Sequence, residues 1–239
     1  MPDLLGQHRT LVVRETPPNA ELLSSLGRLV RGLSLLFWFL PIALVVCTMT
    51  AVGEWFRQFG VFPPLLASAV LCYGLNLLGH FQKQERPWIV ALDRARLLAL
   101  VNFGLSPFLY FWHRMPNDPF FTQAVALLIV TGLVFLFTLN QVLQRLTAML
   151  PDETLRTETK LFTELNRYLI MTSMGLIAFY LILVQIHKLP LFLIDFAQLL
   201  VDSKHWLLLI LILFPLAMTM TLIWKIKELI LTSVFDSEN

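Results

Sequence analysis

The sequence predicts an all-α fold, a polytopic membrane helix bundle with six transmembrane helices. Three observations carry that expectation. The composition is 57% hydrophobic and 14% charged, with a mean hydropathy of +0.71. Soluble domains have about 25% charged residues and roughly 45–50% apolar ones. Six apolar runs approach the roughly 20 residues needed to cross the hydrocarbon core of a bilayer. Lys and Arg also concentrate on alternate segments between those runs, the asymmetry that orients membrane proteins.

Residues 1–27 are mixed and polar, with Arg9, Arg14, Glu15 and Pro17-Pro18. They read as a cytoplasmic N-terminal segment, because a cleavable signal places its apolar core nearer the start. The bundle is expected over residues 28–228, and residues 229–239 as a cytoplasmic tail. The six runs are Leu33 to Val52, Val61 to Phe81, Leu97 to His113, Phe120 to Asn140, Tyr168 to His187 and Trp206 to Trp224. Trp55, Trp88, Trp112, Trp206 and Trp224 stand near run ends, where interfacial aromatics gather. Trp38 is the exception, lying inside its run. Pro63-Pro64, Pro116, Pro119 and Pro151 mark breaks, whereas Pro41, Pro107 and Pro215 fall inside runs and are expected to kink helices.

Two segments between runs read as ordered. Residues 151–167 form a charged amphipathic pattern with the acids Asp152 and Glu153 at its start, as a helix N-terminus favours. That helix is expected to continue unbroken into the fifth run. Residues 190–203 are too short and too acidic to span, and read as an outer interfacial helix.

Fourteen of the 18 Lys and Arg residues fall on one side of the six-run alternation and four, Arg57, Arg114, Lys188 and Lys204, on the other. The expected topology therefore has both termini cytoplasmic, in a plasma or inner membrane. A net charge of +2 gives no reason to expect nucleic acid. Cys47 and Cys72 both lie in apolar runs, so they read as packing residues and no disulfide framework is expected.

A weaker internal similarity suggests three repeated helical hairpins. Arg96 and Arg167 each precede a Gly-Leu pair by eight residues, Gly104-Leu105 and Gly175-Leu176. Both runs then close on His, a base, an apolar residue and Pro. On that reading Gly104 and Gly175 mark close helix approaches. The competing account is that orientation alone puts Arg at such starts and that Gly is common in membrane helices.

None of the runs carries Asp, Glu, Lys or Arg in its central region, which weighs against proton pumping, voltage sensing and carboxylate catalysis. No catalytic residue and no metal ligand set is expected: G-x-S-x-G, H-E-x-x-H and phosphate-binding glycine loops are missing from the sequence. No cofactor is indicated. Asn76, Asn102, Asn140 and Thr172 fall at similar depth and could ring a polar ligand. Alternatively, such groups bond other helices and fix packing. Arg94, Arg96, Arg156 and Lys160 are the candidate partner-binding residues of the cytoplasmic face. The function expected is a non-catalytic membrane subunit, a scaffold or assembly partner for a protein neighbour or a second copy. The alternative is a carrier or binding subunit for a small solute or lipid.

Overall fold

The computed structural model describes residues 18–53, 58–81, 85–149, 153–185 and 212–232. Those residues are helical apart from short turns, and no strand occurs among them. The helices are α1 (Pro18–Val52), α2 (Phe62–Leu78), α3 (Arg86–Leu105), α4 (Phe108–Arg114), α5 (Pro119–Ala148) and α6 (Glu153–Gln185). Residues 212–232 form a further helical stretch, here α7. Two stretches, Ser24–Val52 and Pro119–Ala148, are long and apolar enough to cross a membrane. The expected outer helix at 190–203 lies outside the described residues, as do residues 1–17 of the expected N-terminal segment 1–27 and residues 233–239 of the expected tail 229–239; the described parts of both segments are helical.

Helix bounds depart from the apolar runs in instructive ways. α1 begins 15 residues before Leu33, so its polar start is helical too. The expected loop before the third run is largely helix: α3 starts at Arg86, behind an extended Glu85 and with Pro in its first turn. Proline fits there because the first amides of a helix have no intrahelical acceptor. The third run itself is interrupted at Ser106 and Pro107. Pro107 has no amide to give the carbonyl of Phe103, and the Ser106 hydroxyl donates to that carbonyl instead, at 2.9 Å. α5 starts cleanly because the Asp118 carboxylate accepts from the Phe120 amide at 2.9 Å. α6 runs unbroken for 33 residues, about 50 Å at 1.5 Å per residue. The expected continuity from the charged segment into the fifth run is therefore present.

The core is leucine-rich. Leu29, Leu33, Leu36 and Leu40 form one buried stripe on α1, facing Leu75 and Leu78 of α2. Leu139, Leu143 and Leu146 of α5 and Ile223, Ile226 and Ile230 of α7 complete it. α1 and α2 cross where Gly32 meets Gly74: a Cβ on Gly32 would sit 2.9 Å from the Gly74 carbonyl oxygen and strike Leu78. Gly104 and Gly175, expected to mark close approaches, instead have nothing within 4 Å of an added Cβ among the described residues. Trp88, expected at an interface, is fully buried.

The outer surface is apolar as well. On α1 the exposed stripe is Trp38, Ile42, Val45, Met49 and Val52, opposite the buried leucines. Phe62, Leu66 and Tyr73 are exposed on α2, Val90, Leu97 and Leu100 on α3, and Phe120, Leu127 and Ile129 on α5. Soluble monomers rarely expose contiguous apolar patches beyond a few hundred Å².

Successive long helices run in opposite directions. His113, at the end of α4, places Nδ1 3.0 Å from the Ala51 carbonyl oxygen near the end of α1. The start of α3 meets the end of α5 around Trp88 and Arg145. Of the twelve Lys and Arg among the described residues, eleven lie toward that second end and Arg114 alone at the first.

Candidate functional site

The four candidate ligand residues, Asn76, Asn102, Asn140 and Thr172, sit on α2, α3, α5 and α6 with separate partners. Asn76 is exposed, and its carbonyl oxygen lies 3.3 Å from Arg96 Nη2. Asn102 accepts from the Thr131 hydroxyl at 2.6 Å, which ties α3 to α5. Thr172 is exposed and donates to its own helix, to the Tyr168 carbonyl at 2.8 Å. Asn140 is buried and donates to the Leu136 carbonyl at 2.8 Å and to the Thr219 hydroxyl oxygen at 2.9 Å. Among the described residues, no hydrogen bond joins two of the four.

Asn140 belongs instead to a three-helix node. Asn166 of α6 donates to the same Thr219 oxygen at 3.1 Å and to the Pro215 carbonyl at 3.4 Å. Thr219 passes its own proton to the Pro215 carbonyl at 2.8 Å. Asn140, Asn166 and Thr219 are 3%, 1% and 0% exposed, so the node is sealed from solvent. One hydroxyl oxygen thus receives an amide proton from each of two helices and anchors a third. Asn166 was not among the expected candidates, because it lies inside the charged segment 151–167. Its signal was its spacing: Thr159, Thr163, Asn166, Ile170 and Ser173 are all buried, one helical stripe at i, i+4, i+7, i+11 and i+14. Asn166 Oδ1 and Thr159 Oγ1 are buried without a partner among the described residues.

The candidate partner residues divide. Arg96 is occupied internally. Its Nη2 approaches the Leu75 and Asn76 carbonyl oxygens at 3.4 and 3.3 Å, and Nη1 pairs with Asp93 at 3.2 Å. A cation on the last carbonyls of α2 satisfies groups that the helix cannot. A Cβ on Gly79 would overlap the guanidinium, so a larger residue there would move the Arg96 side chain from this position. Arg94 and Lys160 are exposed. Arg156 lies in α6, with its side chain outside the described set.

Arg94 also lines an open cleft of about 430 Å³ with Arg86, Pro87, Val90, Ala91, Gln141, Gln144 and Arg145. The neighbouring hollow, about 300 Å³, is lined by Glu85, Pro87, Trp88, Arg145, Ala148 and Met149. Trp88 Nε1 is buried there without an acceptor among the described residues. Among the described residues, no group of three or more His, Cys, Asp and Glu is placed to hold a metal ion.

Comparison with protein-family models, with curated proteins and with solved structures found no match for this chain. What can be said of its class rests on the fold and the side chains: an all-helical bundle, two of whose helices are long and apolar enough to span a membrane.

Proposed function

We propose that the chain is a six-span integral membrane protein, with both termini cytoplasmic, that acts as a non-catalytic scaffold or assembly subunit. Four features support the membrane reading. The helices alternate in direction, their outer faces are apolar, and eleven of the twelve Lys and Arg positions on the described helices lie toward one end. Residues 168–185 and 206–224 also contain no Asp, Glu, Lys or Arg. The three hairpins of the repeat are α1 with α2, α3–α4 with α5, and α6 with α7. Their relation by duplication belongs to the same proposal.

The scaffold reading rests on one observation, the exposed face of the early part of α6. Leu161 and Leu165 are 62% and 47% exposed, one turn apart. They stand beside exposed Lys160, Glu164 and Arg167. Charge at that density keeps the segment out of hydrocarbon, so lipid does not cover these leucines. Apolar anchors rimmed by mixed charge fit a protein neighbour. The interior polar groups, meanwhile, bond helix to helix, as packing contacts in membranes do.

The test uses the chain purified from its native membrane. Leu161→Gln with Leu165→Gln should leave insertion and thermal stability unchanged while releasing a co-purifying subunit or a second copy. A single cysteine at Thr157, with Cys47 and Cys72 replaced, should resist an impermeant thiol reagent outside intact cells; one at Asp118 should react. Retention of every partner by the double variant removes α6 as the docking face. A parent that purifies alone and monomeric removes the scaffold reading and leaves the carrier of a small solute or lipid. Labelling of Thr157 from outside overturns the topology.

A further inference from the structure

The cleft between the start of α3 and the end of α5 contains three guanidinium groups, and no carboxylate lines it among the described residues. Arg86, Arg94 and Arg145 are exposed, and among the described residues none of them has an ion-pair or hydrogen-bond partner. Arg96, two residues from Arg94, has both Asp93 and helix carbonyls. Three like charges around one cleft repel, and the glutamines Gln141 and Gln144 beside them supply amide donors. Guanidinium forks and amides together suit the oxygens of a phosphate.

The remaining lining is apolar and points to what carries the phosphate. Arg86, Val90, Arg94, Leu97 and Val101 follow one face of α3. Val90, Leu97 and Val101 are 51%, 63% and 37% exposed. On α5, Gln141 stands one and two turns beyond Phe137 and Val134 on the same face. An anion cradle therefore opens onto two apolar walls that lead away from the basic end. A soluble anion needs the first and has no use for the second. We propose that this cleft binds the headgroup phosphate of an anionic phospholipid, with its acyl chains along the exposed face of α3. In the proposed topology the site lies in the cytoplasmic leaflet, where anionic lipid gathers and attracts basic groups. The inference rests on the membrane reading above.

Native mass spectrometry of the full chain, released from vesicles of equal phosphatidylglycerol and phosphatidylcholine, tests it. Recovery of the chain in the vesicle fraction after alkaline washing is scored first. A chain that washes off overturns the membrane reading, and the lipid site with it. In the retained chain, the parent should keep phosphatidylglycerol in preference to phosphatidylcholine. Arg86→Gln with Arg94→Gln and Arg145→Gln should reduce that retention by on the order of tenfold or more. Arg28→Gln with Arg31→Gln, at the same end on α1, should not. The matching Arg→Lys triple variant should retain part of the preference, which shows that the loss is not misfolding. Equal loss in the α1 variant, or full retention in the glutamine triple, overturns the site. Displacement of the lipid by millimolar glycerol 3-phosphate overturns the lipid source in favour of a soluble phosphate.

Discussion

The α1–α2 pair and the α5–α6–α7 trio hold helices together by opposite means. α1 and α2 meet through absence: Gly32 and Gly74 carry no side chain, so the backbones approach until leucines on either side close around them. The trio meets through presence: Asn140 and Asn166 reach across and share the Thr219 hydroxyl. Small residues that admit close approach and polar residues that bond across are the two ways helices associate where apolar burial gives no net drive. The first tolerates no addition and the second no deletion. The difference fixes which substitutions harm each region.

Gly32→Ala should be the most damaging small change. Its Cβ meets the Gly74 carbonyl oxygen at 2.9 Å and Leu77 Cβ at 3.2 Å, so α1 and α2 must separate. A loss of about 1–3 kcal/mol is expected, as for overpacking elsewhere. Reversible unfolding of the purified protein in mixed micelles measures it. An unchanged midpoint would mean that the helices can part without cost.

The trio should be less sensitive to each single change and more coupled between changes. Asn140→Leu or Asn166→Leu should each cost about 0.6–2 kcal/mol. Since both donate to one oxygen, their effects should not add, and a double-mutant cycle including Thr219→Val isolates the shared part. Strict additivity would show that the two amides act separately. The smallest effects belong to Gly104→Ala and Gly175→Ala, where an added methyl meets nothing within 4 Å among the described residues. Both lie in helices, where Ala is favoured over Gly by about 1 kcal/mol, so neither should destabilise by more than a few tenths of that.

Much of the architecture was legible in the sequence, for physical reasons that also explain the errors. The continuity of α6 followed from acids at its start and no breaker before Gln185. At Pro107 a kink was the expectation, and the structure has a break between α3 and α4 instead, whereas Pro41 lies inside an unbroken α1. The α3 start is hidden in the sequence because Arg86, Arg94 and Arg96 look like loop charge, although Pro87 suits a first helical turn. Gly104 and Gly175 are singled out by the similarity of two runs, and such similarity does not say which face of a helix meets a neighbour. Gly32 instead lies beside Leu29, Leu33 and Leu36, on a stripe that only coordinates identify. In the candidate site, Asn140 was recognised as a polar group in an apolar run, but its partner stands 79 residues away. Arg96 could not be told from Arg94 by sequence: two residues apart, one caps α2 and the other faces out.

The interruption between α3 and α4 bears on the order in which this sequence can change. Pro107 leaves the Phe103 carbonyl without its usual donor, and Ser106 supplies one. In the bilayer of the proposed topology a bare carbonyl costs several kcal/mol. Replacing Pro107 first restores an amide and makes Ser106 dispensable. Replacing Ser106 first strands the carbonyl. The two positions are therefore open to drift in one sequence of steps and closed in the other, so that Ser106 holds its place only while its neighbour remains a proline.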